Sequence, residues 1–238
     1  MRMLTILSLV ALLALPAMAD TFTDDFEGGV NAGQWTFGND ADAIVDEGGN
    51  PGAWFQNDYL NTFGPNFRCA FGNEFFSGDY AAMGVTRLSG DFRTDRADNG
   101  TAYYPFTVLL RNDMGTPADF EDDIYVYPNP EALVCPQLDE GWTHYDFDIP
   151  SDFVGGPGEL PEGWMGGSYY TGGDWFPEDA LFHEVISNVS RVEFWWFHPA
   201  WFGIFTWWSC GADNVTIEYD GGVAVETQTL TEVKDLFR

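Results

Sequence analysis

Gly211-Ala212-Asp213-Asn214-Val215-Thr216-Ile217-Glu218-Tyr219 reads as a late β-strand opening on Asp-Asn-Val. It has a counterpart near the other end of the chain, Asp24-Asp25-Phe26-Glu27-Gly28-Gly29, with Trp35 close behind. The two segments bracket one domain's length. Their pairing implies a β-sandwich whose first and last strands lie side by side and can share a metal ion. A third segment supports the class. In Thr143-His144-Tyr145-Asp146-Phe147-Asp148-Ile149 the apolar side chains point one way and the polar ones the other, as in a strand with one wet face.

The rest of the chain carries the same signal. Its 27 glycines and 13 prolines punctuate short apolar runs, and aromatic residues make up 17% of the 238. Strands are expected at 41–45, 52–57, 66–71, 80–93, 104–112, 123–127, 143–149, 189–197, 205–210 and 214–219. Phe194-Trp195-Trp196-Phe197 and Phe205-Thr206-Trp207-Trp208 are apolar on both faces, so both faces must be covered. One helix is expected. Pro177-Glu178-Asp179 makes its first turn, and Leu181, Phe182, Val185 and Ile186 form its apolar stripe. The segment 153–175, rich in Gly, Pro, Tyr and Trp, reads as a long ordered loop. The fold class is therefore all-β: an antiparallel two-sheet jelly-roll sandwich with one short helix.

Met1-Arg2, the apolar run Leu4 to Leu15 and the small-x-small site Ala17-Met18-Ala19 read as a signal peptide over residues 1–19. The run is short for a bilayer, and membrane insertion is not expected. Residues 20–220 form the sandwich domain and 221–238 a polar tail. The destination is the periplasm or the extracellular space. The chain carries 38 Asp and Glu against 9 Lys and Arg, a formal net charge of −29. That field repels nucleic acid and anionic membranes and suits divalent cations. Cys69, Cys135 and Cys210 allow one disulfide and one free thiol. Cys69 with Cys210 is favoured because both sit in strand-like apolar runs, and other pairings remain open. Oligomeric state is not legible.

Ser77-Gly78-Asp79-Tyr80 before a long strand, the Asp-Phe-Glu opening, the aromatic middle and the closing Asp-Asn-Val strand resemble the jelly-roll sandwiches of carbohydrate-binding modules, of galactose-binding-like and laminin domain-IV-like plan. Gly78-Asp79-Tyr80-Ala81-Ala82-Met83-Gly84-Val85-Thr86 also resembles a stretch found in a group of uncharacterised secreted bacterial proteins. The resemblance implies a structural calcium held by Glu27, Asp79 and Asp213, with Asp25 as a further ligand. Calcium takes six to eight oxygens, which separated acidic strands can supply. The competing reading is that Asp79 and Asp213 are turn acids.

The strongest candidates for ligand contact are aromatic, because sugars stack their CH faces on rings and need polar partners at the rim. Trp195, Trp196, Trp201, Trp207 and Trp208 form one cluster, and Trp208 is placed in the site. Trp164, Tyr169, Tyr170 and Trp175 of the long loop form the opposite wall, with Asp174 or Glu193 as hydroxyl acceptors. Paired tryptophans in adjacent strands also serve as sandwich core. Catalytic motifs are lacking: His144, His183 and His198 are isolated, and neither a nucleophile elbow nor a nucleotide loop occurs. The expected function is a secreted non-catalytic binding module for a polysaccharide or other glycan, with a structural calcium. The alternatives are a matrix-associated protein making protein contacts and, further off, a glycan-active enzyme with two carboxylates facing across a cleft.

Overall fold

The computed structural model describes residues 20–168, 175–201 and 205–220. Eleven strands follow in chain order: β1 (Asp20–Asp24), β2 (Asp42–Gly49), β3 (Gly52–Thr62), β4 (Asn66–Arg68), β5 (Val85–Ala97), β6 (Thr107–Asn112), β7 (Ile124–Pro128), β8 (Thr143–Asp148), β9 (Trp164–Ser168), β10 (Arg191–Trp195) and β11 (Thr206–Tyr219). Two short helices, α1 (Tyr80–Met83) and α2 (Phe182–Ile186), join them. All pairings are antiparallel. One sheet runs β2-β3-β11-β5-β8 with β1 also on β11, and the other runs β4-β10-β6-β7-β9.

The closing strand is the hub of the larger sheet. β5 lies along one side of β11, while β3 and β1 share the other. Asp20 stands opposite Tyr219 and Asp24 opposite Val215, so first and last strands are neighbours as expected. The stretches 205–210 and 214–219 fall largely in one strand of 14 residues, whose register against β5 shifts at Ser209/Cys210, Asp213/Thr216 and Glu218/Tyr219.

The two sheets close on an aromatic core. Phe92 of β5 lies 4.7 Å from Phe194 of β10, and Trp35 stacks on Phe67 at 4.8 Å and 12°. Trp196 meets Phe106 edge-on at 4.9 Å and donates its Nε1–H to Thr94 Oγ1 at 3.0 Å. Large rings dominate such a core because each removes much apolar surface from water.

Local chemistry accounts for the departures from expectation. The expected strand 80–93 begins instead as helix α1. The Asp79 side chain accepts a hydrogen bond from Ala82 N at 2.9 Å, and Gly84, at φ 67°, ends the turn before β5 starts. Helix α2 starts later than expected. Ala180 N bonds back to Pro177 O and Gly158 N bonds to Ala180 O, so 177–180 is a tied-down turn. The expected long loop contains β9, whose glycines Gly166 and Gly167 hid its strand character. Cys69, Cys135 and Cys210 are all buried free thiols, so the favoured Cys69–Cys210 bond is not formed. Burial pushes Cys69 and Cys135 up to about 12. Among the described residues no helix is long and apolar enough to cross a membrane.

Candidate ligand-binding site

β10 reads Arg191-Val192-Glu193-Phe194-Trp195, and its alternation decides the site. Val192 and Phe194 are buried in the core, which sends Arg191, Glu193 and Trp195 to the outer face of the five-stranded sheet. The register places Glu193 opposite Arg68 on one side and Leu109 on the other, and Arg111 opposite Tyr125.

Glu193 is fully buried, and both its oxygens are in use. Arg111 Nε lies 2.9 Å from Oε1, while Oε2 takes Asn66 Nδ2 at 2.7 Å and Trp195 Nε1 at 3.0 Å. Burial alone would raise its pKa, but the guanidiniums of Arg111 and Arg191 outweigh that and hold it below the ordinary value. Arg111 also pairs with Asp123 Oδ2 at 2.7 Å and stands over the Tyr125 ring at 5.7 Å. Asp123 is 1% exposed, and among the described residues its Oδ1 has no hydrogen-bond partner. Burial raises the Asp123 pKa in spite of Arg111.

Beside this network lies a cavity of about 270 Å³ lined by Leu109, Arg111, Phe120, Asp123, Tyr125, Trp195 and Pro199. Its polar floor is fixed in place by ion pairs, and its walls are rings. Beyond Pro199, Trp201 stacks on His198 at 5.0 Å and 6°, with Trp201 47% exposed. Glu193, ionised and fully hydrogen-bonded, is unsuited to deliver a proton. The arrangement is built to hold polar groups against aromatic faces.

The tryptophans expected in one cluster are divided among three places. Trp195 is in the pocket, Trp201 at its rim, and Trp207 on the outer face of the other sheet. Trp196 and Trp208 are in the core at 0% exposure, so Trp208 cannot meet a ligand. The alternation of β11 turns it inward, 5.8 Å from Tyr104. Trp164 stands opposite Pro128 and packs edge-on against Phe182 at 5.4 Å, which places it on the core side of β9. Trp175 is 62% exposed. Tyr169, Tyr170 and Asp174 lie outside the described residues. Glu193 is spent on its own neighbours and does not serve as a free acceptor. Arg111, Asp123 and Tyr125 were not expected. The signal for them was the alternation of charged and apolar residues in Arg191-Val-Glu-Phe-Trp and Leu109-Leu-Arg111, which marks a sheet face bearing charge.

At the opposite sheet, the turn between β2 and β3 gathers Asp25, Glu27 and Asp213. Asp213, fully buried, accepts from Asn50 N at 2.6 Å and Asn214 N at 2.8 Å. Glu27 Oε1 accepts from Ala53 N at 2.9 Å, and Asp25 Oδ1 from Glu27 N at 3.1 Å. Glycine is needed at position 52, where a Cβ would fall 1.7 Å from Glu27 Oε1. A Cβ on Gly49 would likewise stand 2.8 Å from both Asp213 Oδ2 and the Gly52 carbonyl, and 2.5 Å from that of Ala53. Burial pushes Asp213 up to about 6, with the charges of Asp91 and Asp25 adding to it. Among the described residues none of Asp213, Asp25 and Glu27 has an ion-pair partner. Nor do three or more His, Cys, Asp or Glu side chains there converge closely enough to hold a metal unaided. The donor set is carboxylates with the Gly52 and Ala53 carbonyls, which is oxygen chemistry suited to calcium. Asp79 is elsewhere. It caps α1 before Val85, and Val85 is six residues, about 20 Å of strand, from the Asp91 that faces Asp213.

No protein-family model and no curated protein matches the chain. Among solved structures, it is similar to the carbohydrate-binding module CBM28, described as specific for non-crystalline cellulose. The identity is 12% and the TM-score 0.31, over 80% of this chain and 89% of that one. It is also similar to the K3 adhesin domain of the Lys-gingipain of Porphyromonas gingivalis, at 14% identity and TM-score 0.28, over 82% of this chain and 97% of that one.

Proposed function

We propose that the protein is an exported, non-catalytic binding module for a neutral polysaccharide, steadied by a structural calcium ion. The observation that carries the reading is the lining of the pocket. It sets the ion-paired Arg111 and Asp123 among the rings of Tyr125, Trp195 and Phe120, polar groups for a sugar hydroxyl beside faces for a sugar CH surface. The pocket's charges are largely matched among Arg111, Glu193 and Asp123. The net charge of −29 disfavours a polyanionic glycan, so the ligand is neutral. Calcium is supported by the cation-free carboxylates at the β2–β3 turn and the carbonyls beside them.

The test is retardation of the purified protein in gels containing hydroxyethylcellulose, xylan, galactomannan or a β-1,3-glucan. One of the four retards the parent protein. Phe120→Ala and Trp195→Ala weaken that retention about tenfold each, the value of a lost stacking contact. If no glycan retards the parent chain, the reading fails.

A further inference from the structure

The outer face of the six-stranded sheet carries a second aromatic surface, on the opposite side of the sandwich from Trp195. Tyr59 lies on Trp207 with ring centroids 4.2 Å apart at 29°, and Phe205 lies on Phe63 at 3.9 Å. Trp207 stands opposite Asn61, and Trp208 beside it faces the core. Phe205 directly precedes β11, two residues and about 7 Å of chain from Trp207, and its ring rests on Phe63 just past the end of β3. Tyr59 and Phe205 are 57% and 58% exposed, each backed by its partner ring. A groove of about 530 Å³ adjoins the Tyr59–Trp207 pair, edged by Asp40 and Asn61. Both residues are exposed, and neither side chain makes a hydrogen bond among the described residues.

We propose that this face is a second binding surface for a neutral polysaccharide. The proposal takes its ligand class from the function proposed above, but the site is a separate one on the other sheet. The occupant follows from charge and shape. Arg93 and Arg96 of the neighbouring strand are paired with Asp95 and Asp98, so among the described residues the face offers an anionic partner no unpaired cation. The net charge of −29 sets a second copy of the chain against the first. A supported ring with an open amide and a carboxylate at its edge matches a pyranose, which presents a CH face and a rim of hydroxyls. With a pocket on one sheet and a ring platform on the other, one molecule can hold two stretches of polymer, and avidity then exceeds the affinity of either face.

The experiment compares the parent protein with Tyr59→Ala/Phe205→Ala, with Phe120→Ala/Trp195→Ala and with all four changes combined, using gels of the same four polysaccharides. Tyr59→Ala/Phe205→Ala is expected to weaken retention about tenfold, Phe120→Ala/Trp195→Ala to weaken it by more than either single change, and the fourfold variant to abolish it. The parent should also crosslink the long polymer and raise its turbidity, and neither double variant should do so. Because Tyr59 and Phe205 are more than half exposed, their removal leaves the core intact, and circular dichroism checks this. Asn61→Ala, which spares every ring, is expected to weaken retention by a smaller factor. The proposal is overturned if Tyr59→Ala/Phe205→Ala binds like the parent while Phe120→Ala/Trp195→Ala loses all binding, a result that leaves the proposed function standing. It is also overturned if Tyr59→Ala/Phe205→Ala abolishes a concentration-dependent dimer of the parent. If both double variants bind like the parent, both readings fall.

Discussion

Trp208 and Trp195 have the same side chain in different positions. Trp208 is at 0% exposure inside the sandwich, whereas Trp195 lines an open pocket. Trp208→Ala therefore leaves a cavity that close-packed neighbours only partly fill, and it should cost about 3–5 kcal/mol in urea unfolding. Trp195→Ala should cost clearly less and show its effect on glycan retention. His144 gives a pH signature at the same scale. Its Nδ1 lies 2.7 Å from Asp91 Oδ1 and its Nε2 3.4 Å from Asp146 Oδ1. Burial pulls its pKa down, but the two carboxylates outweigh that and raise it above the ordinary 6.5. A pKa raised by folding means the protonated form is favoured in the native state. That contribution is complete below pH 6.5 and is lost as pH rises through the folded value. An NMR titration of the imidazole should show the raised midpoint, and Asp91→Asn should bring it down.

At the scale of elements, the ion-pair ladder crosses three strands. Glu193 of β10 meets Arg111 of β6, and Arg111 meets Asp123 at the entrance to β7. Removing one member leaves buried charge without its partner. Glu193→Ala should therefore destabilise by about 3–5 kcal/mol in urea unfolding, far more than an exposed pair such as Arg96–Asp98 would yield. A cost under ~1 kcal/mol would mean that water compensates the network. The strands themselves were legible where alternation was clean. β8 has its apolar residues at every second position, and its range matches expectation to within a residue. β10 and the later part of β11 are so aromatic that the outward ring could not be told from the inward one. The register decides that, and no short-range pattern in the chain encodes it. β9 was hidden because glycine weakens strand character, and α1 because four residues are too few to show a helical period ahead of the long run of β5.

For the whole molecule, the pairing of first and last strands was legible because each end carries its own acidic signature. Of the four acids that the resemblance implied as ligands, Asp25, Glu27 and Asp213 lie at the paired ends, while Asp79 lies along β5 at a distance. This division supplies a test of the calcium reading that stability alone can answer. An ion bound to the folded state stabilises it by mass action, by about 2.7 kcal/mol at a hundredfold excess over its dissociation constant. Thermal unfolding of the purified protein should thus show a higher midpoint with calcium than with EDTA. Asp213→Asn removes a charged ligand and should erase the difference. In EDTA the same change sets an amide NH2 against one of the two backbone N–H groups that Asp213 accepts from, so it should lower the midpoint, and the calcium increment is read within each variant. Asp79→Ala removes a helix cap worth about 1 kcal/mol and should lower both midpoints equally, leaving the calcium increment unchanged. An increment that disappears with Asp79→Ala and survives Asp213→Asn would move the ion to the other end of β5. With no increment in the parent, the carboxylates at the β2–β3 turn would be held by their backbone hydrogen bonds alone.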